Sequence, residues 1–333
     1  MINFRLVSVC VFSAVLQCIY SKSPFVFEFQ QSQNSRETTL NREKNSRIQQ
    51  FLNKPNGAKY GPTKFSHLSQ VEFEKEYLSD LKGKQNVFEG KKQSPSFSIS
   101  SPKLPQKVDW RNYNGVNYVS PIKNQNKCGG CWAFSTTETI ESMYAIAHNV
   151  TPPRLSVQEV IDCSAGNYGC SGGDTCTALA WLHNTQSLLV YEEEYPLTDT
   201  SDFCKLLTNS SRGVTVKSFT CDRYVGKEQS MLQLLAHGPL VVAVDASTWN
   251  HYLGGIIQYH CGTKLNHAVQ IVGYDLTGDI PFYIVRNSWG TDFGNDGYLY
   301  IKIGDNLCGK LAPQFRHKVW LPYQSFLVCK IVD

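Results

Sequence analysis

The chain has 333 residues, 41% of them hydrophobic, enough for a sizeable core or for more than one domain. A formal charge of +4 is too mild to mark a nucleic-acid binder, and no stretch is apolar for long enough to span a bilayer. The charge is uneven, with 14 Lys/Arg against 8 Asp/Glu in residues 21–103 and 17 against 20 in residues 104–333, so a basic segment precedes an acidic remainder.

Residues 1–21, MINFRLVSVCVFSAVLQCIYS, place one Arg before a short apolar run and then small and polar residues. This is the pattern of a secretory signal peptide, and export delivers the chain to a compartment where disulfides persist. Residues 22–103 are polar and charged, with NREKNSRIQQFLNK and VEFEKEYLSDLKGK as helical pieces. GKKQSPSFSISSPKLP, rich in Ser, Pro and Lys, reads as an exposed linker open to proteolysis. Aromatic and apolar density rises at KVDWR, which puts the main boundary near Leu104. Helices are predicted over 131–149, stopping at Asn149, over 156–162 and near 176–184. From about residue 213 the β-branched and aromatic runs PLVVAVDA, AVQIVGYD, PFYIVRNSW and GYLYIKIG predict strands. A helical half of about 115–212 and a strand-rich half of about 213–321 predict a two-lobed α+β protein.

The chemistry concentrates in NQNKCGGCWAFS, residues 124–135. A zinc site would need a second Cys-x-x-Cys, which the chain lacks, and a redox pair would need a parallel-sheet context, which the pattern does not supply. The remaining reading makes Cys128 structural and Cys131 a nucleophile at a helix N-terminus, where the partial positive charge favours thiolate. Such a thiolate needs an imidazole and a group to orient it, and His267 in LNHAVQIVGY and Asn287 in RNSWG are the candidates. Asn149-Val-Thr151 and Asn209-Ser-Ser211 are glycosylation acceptors in an exported chain.

KVDWR, NQNKCGGCWAFS, LSVQEVIDC, YGCSGG, NHAVQIVGY and NSWGTDFGNDGY, in that order over residues 104–321, resemble the papain family of cysteine proteases. Gly130 departs from the family's Ser or Ala at that position. The resemblance implies a helical lobe and a β-barrel-like lobe with a cleft between them. Cys131 would attack the scissile carbonyl, His267 would pair with it and protonate the leaving amine, Asn287 would orient the imidazole, and Trp289 would shield that bond. Gln125 and the Cys131 N–H would form the oxyanion hole. It also implies the disulfides Cys128–Cys170, Cys163–Cys204 and Cys261–Cys308. Cys176, Cys221 and Cys329 are then left over, with Cys176–Cys221 as an additional bridge. Gly172 and Gly173 would offer backbone to an extended substrate, and Asp174, Thr175, Ala243, Leu265, Asn266, Ala268 and Pro313 would shape the specificity pocket. Asp174 would either favour a basic side chain there or stand as a solvated aspartate on the rim. Residues 22–103 would be an inhibitory propeptide, although Thr63 and His67 stand where Asn and Asp are usual. Residues 322–333 run past the family's usual end as a tail without an assigned role. The expected protein is a monomeric endopeptidase zymogen of the secretory pathway, lysosomal or extracellular, acting on polypeptides and open to cystatin-type inhibitors, with no metal or organic cofactor. A silent binding homologue is the alternative.

Overall fold

The computed structural model describes residues 42, 57–79, 81, 104–205, 212–223, 228–259, 261–262, 264–304, 307–308 and 327–332. In chain order the elements are β1 (Gly57–Tyr60), α1 (Gln70–Tyr77), β2 (Lys107–Asp109), α2 (Cys131–His148), α3 (Val157–Cys163), α4 (Thr175–Thr185), β3 (Leu189–Val190), β4 (Gly213–Val214), β5 (Ser218–Arg223), α5 (Glu228–Leu235), β6 (Leu240–Val244), β7 (Tyr252–Ile257), β8 (His267–Asp275), β9 (Phe282–Arg286), β10 (Tyr298–Lys302) and β11 (Leu327–Val332). Short polar side chains start α1, α3 and α4, whereas α2 starts from Gly130 with no side-chain cap. Ser69 and Glu72 form a capping box on α1, Ser156 accepts from Glu159 N on α3, and Asp174 accepts from Thr177 N on α4. Helix α2 ends at Asn149 in the left-handed conformation (φ 51°, ψ 51°), its N–H returning to Ala145 O.

Two cores form. Trp132, Phe134, Ile140, Leu155, Val160, Leu179 and Leu182 make one between α2, α3 and α4. Trp110, Leu232, Leu235, Val242, Ile271, Tyr274, Val285 and Leu299 make the other around the sheet. Helix α2 is buried from Cys131 through Met143, because it packs on α3 and α4 on one side and on β6, β8 and β11 on the other. The sheet runs β1-β7-β10-β9-β8-β6-β11-β5, with β2 added to β8. All its pairings are antiparallel except β10 with β7.

The edge strand β1 comes from the basic N-terminal segment. It pairs Gly57 with Ile256 and Tyr60 with Tyr252. A Cβ at Gly255 (φ +79°) would lie 1.9 Å from Gly57 O, so glycine is what lets the two backbones approach.

The structure differs from the sequence reading in several places. The predicted helix 71–84 stops at Tyr77, because Leu78 is extended and the chain runs on to bond Ser79 N to Asn266 O at 2.9 Å. Residues 327–332, read as part of a tail, form β11 between β5 and β6. NREKNSRIQQFLNK (apart from Arg42), the body of the linker 90–103, the signal segment, Pro313 and Asn209 lie outside the described residues.

Cys128–Cys170, Cys163–Cys204 and Cys261–Cys308 are bonded as the resemblance implied. Cys176 on α4 is bonded to Cys221 on β5, which staples the helical core to the far end of the sheet. Cys329 stands opposite Cys221 in the β11–β5 register. The Cys176–Cys221 bridge spans 45 residues, for which the chain-entropy relation gives about 4 kcal/mol of stabilisation. A Cys176→Ala/Cys221→Ala double variant should therefore melt lower by on the order of 10 °C. Non-reducing peptide mapping should recover the linked pair, and a free thiol at Cys176 in the native protein would refute the bridge.

Candidate active site

Cys131 is the first residue of α2, His267 the first of β8, and Asn287 directly follows β9. The sheet pairs β8 with β9, so His267 and Asn287 meet across neighbouring strands, and the packing of α2 on β8 brings in Cys131. All three are fully buried. His267 Nε2 donates to Asn287 Oδ1 at 2.8 Å. Ser288 N donates to the same oxygen at 2.9 Å, which fixes the amide's orientation and makes it the acceptor. Among the described residues His267 Nδ1 has no hydrogen-bond partner. The Ala268 N–H, one residue past His267, bonds the Cys131 thiol. The Trp289 indole lies against the imidazole with ring centroids 4.8 Å apart and planes 30° apart.

Gln125 is also fully buried. Its Oε1 accepts from Ser288 Oγ at 2.6 Å, and its backbone N–H bonds Ser288 O at 2.8 Å. Its Nε2 donates to Cys128 O at 3.0 Å and to Tyr77 O at 3.2 Å. The latter carbonyl belongs to the N-terminal segment, as does Ser79, whose Oγ lies 3.5 Å from Cys131 Sγ. The segment is anchored by Phe65, Phe73 and Tyr77, whose rings pack around Trp289 at centroid distances of 5.3, 5.5 and 6.4 Å. Lys64 Nζ donates to Trp289 O and, at 2.6 Å, to Asp292 Oδ1, and Lys127 pairs with Glu76 at 3.2 Å. His67, singled out in the sequence, is exposed.

This cover reverses one expectation. Helix position alone predicts a depressed thiol pKa. Burial instead pushes the Cys131 thiol up, outweighing the Ser79 hydroxyl and the N–H groups of Ala268, Trp132 and Cys131 itself that pull it down. Burial likewise lowers His267 to about 4, against the Asn287 bond that raises it. Both partners are thus neutral near pH 7.

The residues expected to shape the pocket, Pro313 aside, have these settings. A Cβ at Gly173 would lie 2.7 Å from the Trp132 ring, and Gly172 (φ 114°) adopts a conformation suited to glycine. Thr175 is buried at the start of α4. Ala243 faces Ala268 across the β6–β8 pair, Leu265 is half-buried beside Asn266, and Asn266 Oδ1 accepts from Ala246 N at 2.9 Å. Asp174 caps α4, its Oδ1 accepting from Thr177 N at 2.7 Å and from Thr177 Oγ1 at 2.9 Å. Asn149 is exposed and accepts from Tyr118 OH at 2.7 Å. Sequence reasoning missed Ser288, Tyr77 and Ser79. The first lies inside the quoted RNSWG motif, whereas the other two carry no local signal because only the path of the segment gives them a role.

The geometry matches known proteins. Residues 104–314 match the family model "Papain family cysteine protease". Cathepsin O of Homo sapiens is 44% identical over 261 residues, covering 78% of this chain and 79% of that one. Cathepsin O of Mus musculus is 44% identical over 264 residues, covering 79% and 82%. Among solved structures, the digestive procathepsin L2 of Tenebrio molitor larval midgut superposes with a TM-score of 0.72 at 26% identity, covering 98% of this chain and 100% of that one. The recombinant stem bromelain precursor superposes with a TM-score of 0.71 at 26% identity, covering 90% and 92%. With the family model spanning more than half of the sequence, the chain belongs to the papain family of cysteine proteases and is a cathepsin O-like, cysteine-type endopeptidase.

Proposed function

We propose that the chain is a secreted endopeptidase zymogen in which Cys131, His267 and Asn287 carry the reaction and residues 22–103 hold it off. The observation that carries this reading is the His267–Asn287 bond, anchored by Ser288, which leaves Nδ1 as the unprotonated nitrogen, free to take the Cys131 proton. Once the segment leaves, water and substrate reach the pair, the desolvation that keeps both neutral is relieved, and the thiol proton passes to Nδ1. The thiolate attacks the scissile carbonyl to form a tetrahedral oxyanion. Gln125 Nε2 and the Cys131 N–H stabilise it, the former now occupied by Tyr77 O. Collapse transfers the Nδ1 proton to the leaving amine and leaves a thioester on Cys131. Water, deprotonated by His267, then hydrolyses the thioester and restores the thiol. The extended substrate lies along Gly172 and Gly173, with side chains toward Thr175, Ala243, Leu265, Ala268 and Pro313.

The signal-like N-terminus, the disulfides and the sequons at Asn149 and Asn209 support passage through the secretory pathway to a lysosome or the extracellular space. The same reading makes it a monomer acting on polypeptides and open to cystatin-type inhibitors.

The defining test is labelling of Cys131 by a thiol-reactive epoxysuccinyl peptide. Label should appear after the N-terminal segment is removed, vanish in Cys131→Ser and slow sharply in His267→Ala. A folded, processed protein without label at Cys131 would sink the mechanism.

Gln125→Ala should lose about 2.7–4 kcal/mol of transition-state stabilisation, roughly 10²–10³ in kcat, with KM nearly unchanged. A KM effect of that size with kcat intact would instead assign Gln125 to substrate binding.

Acid should loosen the cover. His267 titrates at about 4 in the covered state, while an open imidazole titrates near 6.5, so between those values the uncovered state binds more protons. Docking of the segment therefore weakens as pH falls from 6.5 to 4. Labelling of the intact proform should speed up across that window, and a flat rate would refute the linkage.

A further inference from the structure

Behind the reactive groups lies a buried cluster that the reaction does not consume. Arg286, the last residue of β9 and the neighbour of Asn287, is fully buried. Its Nη1 donates to Gln270 Oε1 at 3.3 Å, and its Nη2 donates to Ser120 Oγ at 3.2 Å and to Pro121 O at 2.6 Å. The same Nη2 lies 3.3 Å from Glu138 Oε1, close enough to pair but not aligned as a hydrogen bond. Gln270 lies three residues past His267 on β8, and its Nε2 donates to Glu138 O at 3.1 Å and to Ser142 Oγ at 3.2 Å. Glu138 is two helical turns below Cys131 on α2.

One guanidinium thus touches every segment that carries the site. It reaches α2, with Cys131, through Glu138, and β8, with His267, through Gln270. Asn287 is reached through the backbone, and the strand-like stretch leading to Gln125 through Ser120 and Pro121. Only a planar fork with several donors can do this, which a lysine's single ammonium cannot. A buried ion pair is no general source of stability, so its retention calls for a geometric reason.

We propose that Arg286, held against its counter-charge Glu138, is a positioning residue for the reaction, fixing the relative placement of Cys131, His267, Asn287 and Gln125. This rests on the catalytic reading given above. The charged and titratable groups facing Glu138 are Arg286 from the sheet, Glu141 from its own helix, Lys123 from the stretch before Gln125, and the Tyr298 phenol from β10, while Gln270 Nε2 donates to the Glu138 backbone carbonyl. Lys123 is itself paired with Glu141 at 3.2 Å and Glu192 at 3.5 Å, so it does not neutralise Glu138 alone. Burial, partly offset by Arg286, raises the Glu138 carboxyl to about 7, so the pair is uncharged on the glutamate side in acid and forms fully as pH rises.

The test compares wild type, Glu138→Gln and Arg286→Lys, each expressed as the full chain and processed in acid. Active sites are counted by epoxysuccinyl-peptide titration, and kcat and KM are measured per titrated site on a peptide substrate from pH 5 to 7.5. At pH 5, Glu138→Gln matches the protonated wild type and should equal it within about two-fold. At pH 7.5 its kcat should be lower by about five-fold with KM within about two-fold, since misplacing reacting groups costs rate more than binding. Arg286→Lys should lose about ten-fold in kcat at every pH for the same reason. A purely structural role predicts a lower melting temperature and a Glu138→Gln to wild-type kcat ratio that does not change with pH, and that ratio, or an Arg286→Lys kcat at the wild-type level, overturns the proposal. If Glu138→Gln unfolds above pH 7, Arg286→Lys decides alone. A wild type that neither labels nor turns over overturns the catalytic reading and the positioning role with it.

Discussion

The site depends on the burial of helix α2 between two cores. A helix buried on all sides cannot sit on a surface, and here the faces of Cys131–Met143 are shared between α3 and α4 on one side and β6, β8 and β11 on the other. Its N-terminus must then emerge at the seam of the two halves. The thiol at its first position is met there by whatever the sheet presents, which is the start of β8 and the end of β9. Register completes the arrangement, because Gln270 opposite Arg286 sets His267 and Asn287 at the same end of the sheet.

The seam explains how one segment can silence the protein. Helix N-terminus and backbone N–H groups favour thiolate, and water would favour both ions, yet a dry seam favours neither. Tyr77 O takes the donor of Gln125, Ser79 covers the thiol, and the aromatic trio Phe65, Phe73 and Tyr77 closes over Trp289. The ion pairs Lys64–Asp292 and Lys127–Glu76 are partly exposed, so each contributes little, and the aromatic packing and the β1–β7 ladder carry most of the docking.

Much of this was legible in sequence where chemistry and local pattern coincide. Apolar patterning, the stop at Asn149 and the β-branched runs placed the helices and strands, and the ordered motifs gave Cys131, His267, Asn287 and Gln125. What was not legible depends on distant partners. VEFEKEYLSDLKGK has helical composition throughout, but bonding of Ser79 to Asn266 ends the helix at Tyr77, and no local signal encodes that. Asp174 invited an electrostatic reading, and its Oδ1 also serves as the cap of α4. The tail lacked an assignment because its pairing partners, β5 and β6, lie about a hundred residues upstream.

The polar cluster under the site poses the sharper physical question. Glu138, Glu141, Ser142, Gln270 and Arg286 are buried where apolar residues of similar size would fold at least as well. Apolar contacts, however, are tolerant of small slides, whereas a guanidinium bonded to Gln270, Ser120 and Pro121 accepts one placement. Cysteine chemistry at the seam needs a helix, two strands and a connecting stretch to agree within a fraction of an ångström. Directional bonds at their common junction meet that need in a way that packing alone does not, so the cost of burying the charges is borne where alignment of the four segments matters most.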